Sequence, residues 1–210
     1  MGHPAEGRVR RRVATFRRTR NGHFSLTLHA AEADLLASLA REVLELLEVP
    51  AAAPPRPVDP LQAELGLSDL PGFDTPLDDL AGDGPVAPPE DEVLRRLLPD
   101  AYGDDPDASA DFRRFTERGL RERKAAAASG LLAGLAPVEG QGGRVQLDAD
   151  GARTWLAALN DIRLALGTRL GVSEDADPDA DLAEDDPARW AWAVYDFTTH
   201  LQETLVRSLS

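Results

Sequence analysis

The densest run of possible metal ligands is Asp175-x-Asp177-x-Asp179-x-Asp181, carboxylates at alternate positions of the kind that bind calcium. An EF-hand loop needs glycine at its sixth position and a bidentate glutamate at its twelfth. Counting from Asp175 places Ala180 and Asp186 there; counting from Asp177 places Leu182 and Ala188, with Pro178 inside the run. Both registers fail, and the stretch reads as a solvated acidic loop. The histidines, His3, His23, His29 and His200, are scattered without a His-x-x-x-His pair. His29 falls at a strand-to-helix junction and His200 about one position off an apolar helix face, so both read as structural.

Nucleophile motifs are missing as well. There is no cysteine, no Gly-x-Ser-x-Gly and no Ser-x-x-Lys. A phosphate cradle needs glycines that open a helix, so that amides and dipole point at the anion. Gly140-Gln141-Gly142-Gly143 instead precedes the β-prone Arg144-Val145-Gln146-Leu147 and reads as a turn. No catalytic residue, metal ligand or cofactor motif emerges, and the chain reads as a non-enzyme.

Three charged segments remain. In Asp111-Phe112-Arg113-Arg114-Phe115-Thr116-Glu117-Arg118, Arg114, Arg118 and Arg121 recur at i, i+4 and i+7, a basic ridge beside an apolar one. It reads either as a solvated face held by pairs such as Glu117–Arg121 or as a docking surface. In Leu159-Asn160-Asp161-Ile162-Arg163-Leu164, polar side chains interrupt an apolar helix. If buried, Asn160, Asp161 and Arg163 must satisfy one another, and a network with Arg169 is expected. Finally, Arg8, Arg10, Arg11, Arg12, Arg17, Arg18 and Arg20 crowd the start of a chain whose net charge is −14. That arm suits an exposed strand edge, or contact with DNA or an acidic protein, with the overall acidity favouring protein.

The elements that carry these groups follow from periodicity and breakers. Val9 to Phe16 and Phe24 to Leu28 are β-prone runs around Asn21-Gly22, a hairpin signal. Leu35, Leu36, Leu39, Val43, Leu46 and Leu47 predict a helix over Ala31–Glu48, stopped by Pro50. Ten of the sixteen prolines lie between Pro50 and Pro89, so that stretch reads as an extended connector with at most a short helix around Pro60 to Leu65. Helices are predicted over Glu90–Leu98 and from an Asp107 or Ser109 cap to about Leu135, with a kink at Gly119, Gly130 or Gly134. Arg144 to Leu147 is a strand, Asp148 caps a helix to about Leu170, and a last helix spans Pro187 to Leu209. Two strand-then-helix units place the third strand beside the hairpin. The predicted fold is α+β and predominantly α-helical, a helical domain with an N-terminal β-hairpin and a small antiparallel sheet. Residues 1–49 carry the hairpin and first helix, 50–89 the connector, and 90–210 a helical region packing with 1–49 as one domain. Its core comprises Leu36, Leu39, Val43, Phe112, Phe115, Trp155, Leu159, Ile162, Leu166, Trp190, Val194, Phe197 and Leu201.

A chain of 210 residues can bury a core that needs no staples, and without cysteine it has no disulfide, thiolate or thiol sensor. No apolar run approaches the ~18 residues of a membrane span, and the arginine-rich start lacks a secretory layout, so a cytoplasmic location is expected.

Three segments carry a family resemblance: Asp111-Phe112-Arg113-Arg114-Phe115-Thr116-Glu117; Trp155-Leu156-x-x-Leu159-Asn160-Asp161-x-Arg163-Leu164-x-Leu166-Gly167-Thr168-Arg169-Leu170-Gly171; and Trp192 through Tyr195 to His200-Leu201-Gln202-Glu203. Together with the hairpin, Leu-rich helix and proline-rich connector, they resemble the actinobacterial AosR-like family, long catalogued as a domain of unknown function. The resemblance implies a transcriptional regulator of the oxidative stress response, acting with a sigma factor at genes for sulfur metabolism. It carries over Arg113, Arg114, Glu117, Asn160, Asp161, Arg163 and Arg169 as a partner-contact surface. The expected partner is a sigma factor or RNA polymerase, with DNA contact through the Arg8–Arg20 arm as a further reading. The family's genes often neighbour that of the adaptor ClpS, which implies an accessory of Clp proteolysis as the alternative. An uncatalogued enzyme is the third reading. Oxidant sensing normally uses a thiol, and this chain has none.

Overall fold

A computed structural model describes residues 13–47, 87–172 and 186–210. Strands β1 (Arg17–Arg18), β2 (Phe24–Leu28) and β3 (Gly143–Leu147) form an antiparallel sheet in the order β1-β2-β3. The helices are α1 (Ala30–Leu46), α2 (Glu92–Leu97), α3 (Pro106–Leu135), α4 (Ala149–Arg169) and α5 (Pro187–Leu209). The fold is thus mainly helical α+β with a hairpin at its start, and β3 lies beside β2 as expected. Arg8 to Arg12, the Pro60–Leu65 helix, the rest of the proline-rich stretch to residue 86 and the Asp175–Asp181 loop lie outside the described residues.

β2 alternates by burial: Phe24, Leu26 and Leu28 face the core, while Thr27 is exposed. β1 follows the predicted Val9–Phe16 run, of which the described part, Val13 to Phe16, lies outside the ladder. Its paired residues are Arg17 with Ser25 and Arg18 with Phe24. Ala14 and Phe16 are buried outside the ladder because this segment turns to α5 for its partners. The Phe16 amide donates to Thr204 Oγ1 at 3.3 Å, and Ser208 Oγ donates to the Phe16 carbonyl at 3.3 Å. Thr15 Oγ1 and His200 Nε2 lie 3.3 Å apart, which gives His200 its structural role.

Helix starts follow local capping. Asp91, Asp105, Asp148 and Asp186 each accept a backbone N–H in the first turn. At α1, Glu32 reaches back to the His29 amide at 2.8 Å. α3 is capped by Asp105 rather than Asp107 or Ser109, with Pro106 opening its first turn. Ser109 is instead buried, its hydroxyl donating to the Tyr102 carbonyl and accepting from the Tyr102 amide. α3 also runs unbroken through Gly119, Gly130 and Gly134.

The third of these glycines is a packing device. A Cβ on Gly134 would stand 2.8 Å from Trp155 Nε1 and 3.0 Å from Cζ2, so the bare backbone lets α3 close over the fully buried indole. Trp155 meets Phe16 edge-on at 5.9 Å between centroids. An alanine ordinarily stabilises an interior helical glycine by about 1 kcal/mol. At Gly134 overpacking reverses the sign, and Gly134→Ala is expected to cost about 1–3 kcal/mol. Gly119 meets only the Arg123 guanidinium, at 3.5 Å, so Gly119→Ala should stabilise by about 0.5–1 kcal/mol. Urea denaturation of the two variants checks the opposite signs.

α4 sits at the centre, packed against α1, α2, α3 and α5. Its Trp155, Leu159 and Ile162 join Leu36, Leu39 and Val43 of α1 and Val194 and Leu201 of α5 in one core. Leu166 and Phe197 pack against that core partly buried. Three predicted core residues do not belong to it. Phe112, Phe115 and Trp190 are 44%, 54% and 66% exposed.

Candidate functional site

Of the expected network of Asn160, Asp161, Arg163 and Arg169, the hydrogen bond between Asn160 and Asp161 forms, whereas Arg163 and Arg169 lie outside it. Neighbouring positions on a helix point about 100° apart at 3.6 residues per turn, and beyond that one contact Asp161, Asn160 and Arg169 meet three different elements. Asp161, buried, accepts from Lys124 Nζ of α3 at 2.6 Å. Asn160 Oδ1 accepts from Gln202 Nε2 of α5 at 3.4 Å. Arg169 pairs with Glu42 of α1 at 2.9 Å on an exposed edge. Among the described residues Arg163 has no ion-pair partner, and its Nε is buried without a hydrogen bond.

The Lys124–Asp161 pair is the least solvated ion pair among the described residues. Burial pushes the Asp161 carboxyl above the ordinary carboxylate range, while the hydrogen bond and charge of Lys124 and a hydrogen bond with Asn160 pull it back. The net direction is upward, so desolvation outweighs the lysine. Nothing in the sequence marks Lys124 as the partner; the signal available was that a buried aspartate in an apolar helix demands some cation.

On α3 the expected Glu117–Arg121 pair forms at 2.8 Å and is mostly buried, so Arg121 does not join an open basic ridge. Glu117 Oε2 and Arg114 Nε are buried without hydrogen-bond partners. Arg113 is buried and paired with Asp100, tying the helix to the preceding loop. The Arg114 guanidinium lies 4.6 Å from the centroid of the Phe115 ring. Arg118 is exposed beside Glu122.

Polar and small residues thus anchor the first half of α3: Ser109 and Arg113 face inward, while Phe112 and Phe115 face solvent. Tyr102, 51% exposed, meets Phe112 edge-on at 6.0 Å. The result is an exposed aromatic surface of Tyr102, Phe112 and Phe115 next to Arg114. Aromatic rings and arginine are the side chains that protein interfaces enrich and use as hot spots.

A family model described as a domain of unknown function, DUF2017, matches residues 12–209. The chain belongs to that family. Over 202 residues it is 34% identical to the oxidative stress regulator AosR of Mycobacterium bovis and of Mycobacterium tuberculosis, covering 90% of this chain and 83% of each relative. It is 35% identical over 165 residues to an AosR relative of Mycobacterium leprae, covering 70% of this chain and 74% of the relative. No solved structure matches. For this DUF2017 member, no helix among the described residues is long and apolar enough to cross a membrane, and no described group of three or more His, Asp or Glu is placed to hold a metal ion.

Proposed function

We propose that the protein is a non-catalytic transcriptional regulator of the cytoplasm that acts by contact with a sigma factor or RNA polymerase, and that the α3 face of Tyr102, Phe112, Arg114 and Phe115 makes that contact. The observation that carries this reading is the exposure of Phe112 and Phe115, apolar rings a monomer gains little by holding in water. Relatives named as oxidative stress regulators support the regulatory role. The net charge of −14 favours a protein over a nucleic-acid partner for most of the surface. With no cysteine, the chain does no thiol chemistry, and its proposed place is downstream of the step that senses an oxidant.

The test is affinity capture of the full chain from cells of its own species, with mass spectrometry of the bound proteins. A sigma factor or polymerase subunits are expected with the wild type and lost with Arg114→Glu, at an unchanged circular dichroism melt. Charge reversal at a hot-spot arginine costs on the order of ten-fold or more in affinity. Capture of Clp components in their place, or of polymerase equally well by both forms, would overturn the reading.

A further inference from the structure

The structure leaves two guanidinium groups without partners in one place. Arg96 of α2 and Arg163 of α4 line the same recess of about 290 Å³, closed on a third side by Tyr195 of α5. Among the described residues neither arginine makes an ion pair or hydrogen bond, although eight ion pairs are formed. No described carboxylate lines the recess. In a chain of net charge −14, a recess lined by two cations and by no described carboxylate is not what composition alone gives, and Glu203, which lines a second recess bordered by Arg163, is paired with Arg207 at 2.8 Å.

We propose that this recess binds a small molecule through a dianionic oxyanion head, a phosphate group. A buried guanidinium N–H without an acceptor costs free energy that a charged ligand oxygen restores. Arg163 Nε is in that condition. Its side chain also lines a second recess of about 290 Å³ beside Thr199 and Gln202, whose Oγ1 and Oε1 are likewise buried without partners. The two recesses share Arg163, so a head group held by Arg96, Arg163 and the Tyr195 hydroxyl has polar space next to it for the rest of a ligand. Gly167 shapes the floor: a Cβ there would just touch the Tyr195 ring, 3.4 Å from Cε2, and a longer side chain would fill the space beside it. Thr168 contributes no donor, because its hydroxyl donates to the Leu164 carbonyl at 2.9 Å. The recess is too small for a folded partner and suits a metabolite-sized ligand. It shares no lining residue with the aromatic face of α3 and is independent of the partner reading.

The experiment is titration of the ¹⁵N-labelled full chain with inorganic phosphate at constant ionic strength, with chloride as the control anion. Saturable movement of the Gly167, Thr168 and Tyr195 amides is expected. Arg96→Gln should weaken it about ten-fold, the size of one charge-assisted hydrogen bond. Arg96 is exposed and holds no other group, so this variant folds whatever becomes of Arg163→Gln, for which a larger loss is expected. A parallel titration with glycerol phosphate distinguishes the sources: tighter binding than phosphate assigns a monoester, and equal binding assigns the free ion. Shifts that rise linearly with either salt, or that survive Arg96→Gln undiminished, would overturn the site.

Discussion

Lys124→Met is expected to destabilise the fold by about 2–4 kcal/mol at pH 7, a cost that shrinks on acidification. Removing one partner of a buried pair strands the other charge, at about 3–5 kcal/mol. The carboxyl has an escape, because taking up a proton costs only about 1.4 kcal/mol per pH unit above its unfolded value; that caps the loss near neutrality. The sign follows from the direction of the shift. Asp161 is already raised above its ordinary 3.8 in the folded protein, so the folded state holds this proton more tightly than the unfolded one. Its contribution is fully present at acid pH and is lost as pH rises through the folded value. Without Lys124 that value climbs further, and the stability of the variant should fall more steeply than the wild type between pH 5 and 7. Pairing Lys124→Met with Asp161→Leu removes both charges and should bring stability back to within about 1 kcal/mol, as apolar replacements of buried pairs often do. Urea midpoints at the two pH values decide it. A loss below about 1 kcal/mol without pH dependence would show that the pair is open to water.

The same pair explains why some of this protein is legible in its sequence and some is not. α1, α4 and α5 carry apolar stripes that coincide with burial, and Asp148 and Pro187 mark the starts of α4 and α5, so those helices fall within one or two residues of the periodicity. Hydrophobic spacing records only which residues are apolar. In the first half of α3 it selects Phe112 and Phe115, whereas the buried positions are Ser109 and Arg113, satisfied by Tyr102 and Asp100. Trp190 fails for a simpler reason: it lies in the first turn of α5, before Val194, the first fully buried residue of that helix. The motif around Asn160 to Arg169 does hold specific polar contacts, but a local string cannot say that its members face three different helices. The Arg96–Arg163 recess is less legible still, since α2 meets α4 only through the tertiary fold.

Phe112→Ala with Phe115→Ala is the substitution in which the aromatic face should declare itself. Were these rings core residues, as their spacing predicts, each truncation would cost about 3–5 kcal/mol and the double variant would not fold. Half-exposed rings contribute far less. The edge contact of Phe112 with Tyr102 is worth about 0.5–1.5 kcal/mol, and a total loss of about 1–2 kcal/mol is expected. Binding should respond the other way round. Truncating an aromatic hot spot costs about 2 kcal/mol or more, so losing both should weaken sigma factor or polymerase binding roughly 100-fold or more. The two measurements pull apart: a small shift in the urea midpoint together with a large rise in Kd is the signature of a docking surface. Arg169→Gln is the internal control. It removes an exposed pair with Glu42 of α1, a change worth about 0–1 kcal/mol in stability and nothing in affinity if α3 alone makes the contact. Loss of folding in the double variant would return Phe112 and Phe115 to the core, and undiminished binding would move the contact elsewhere on the protein.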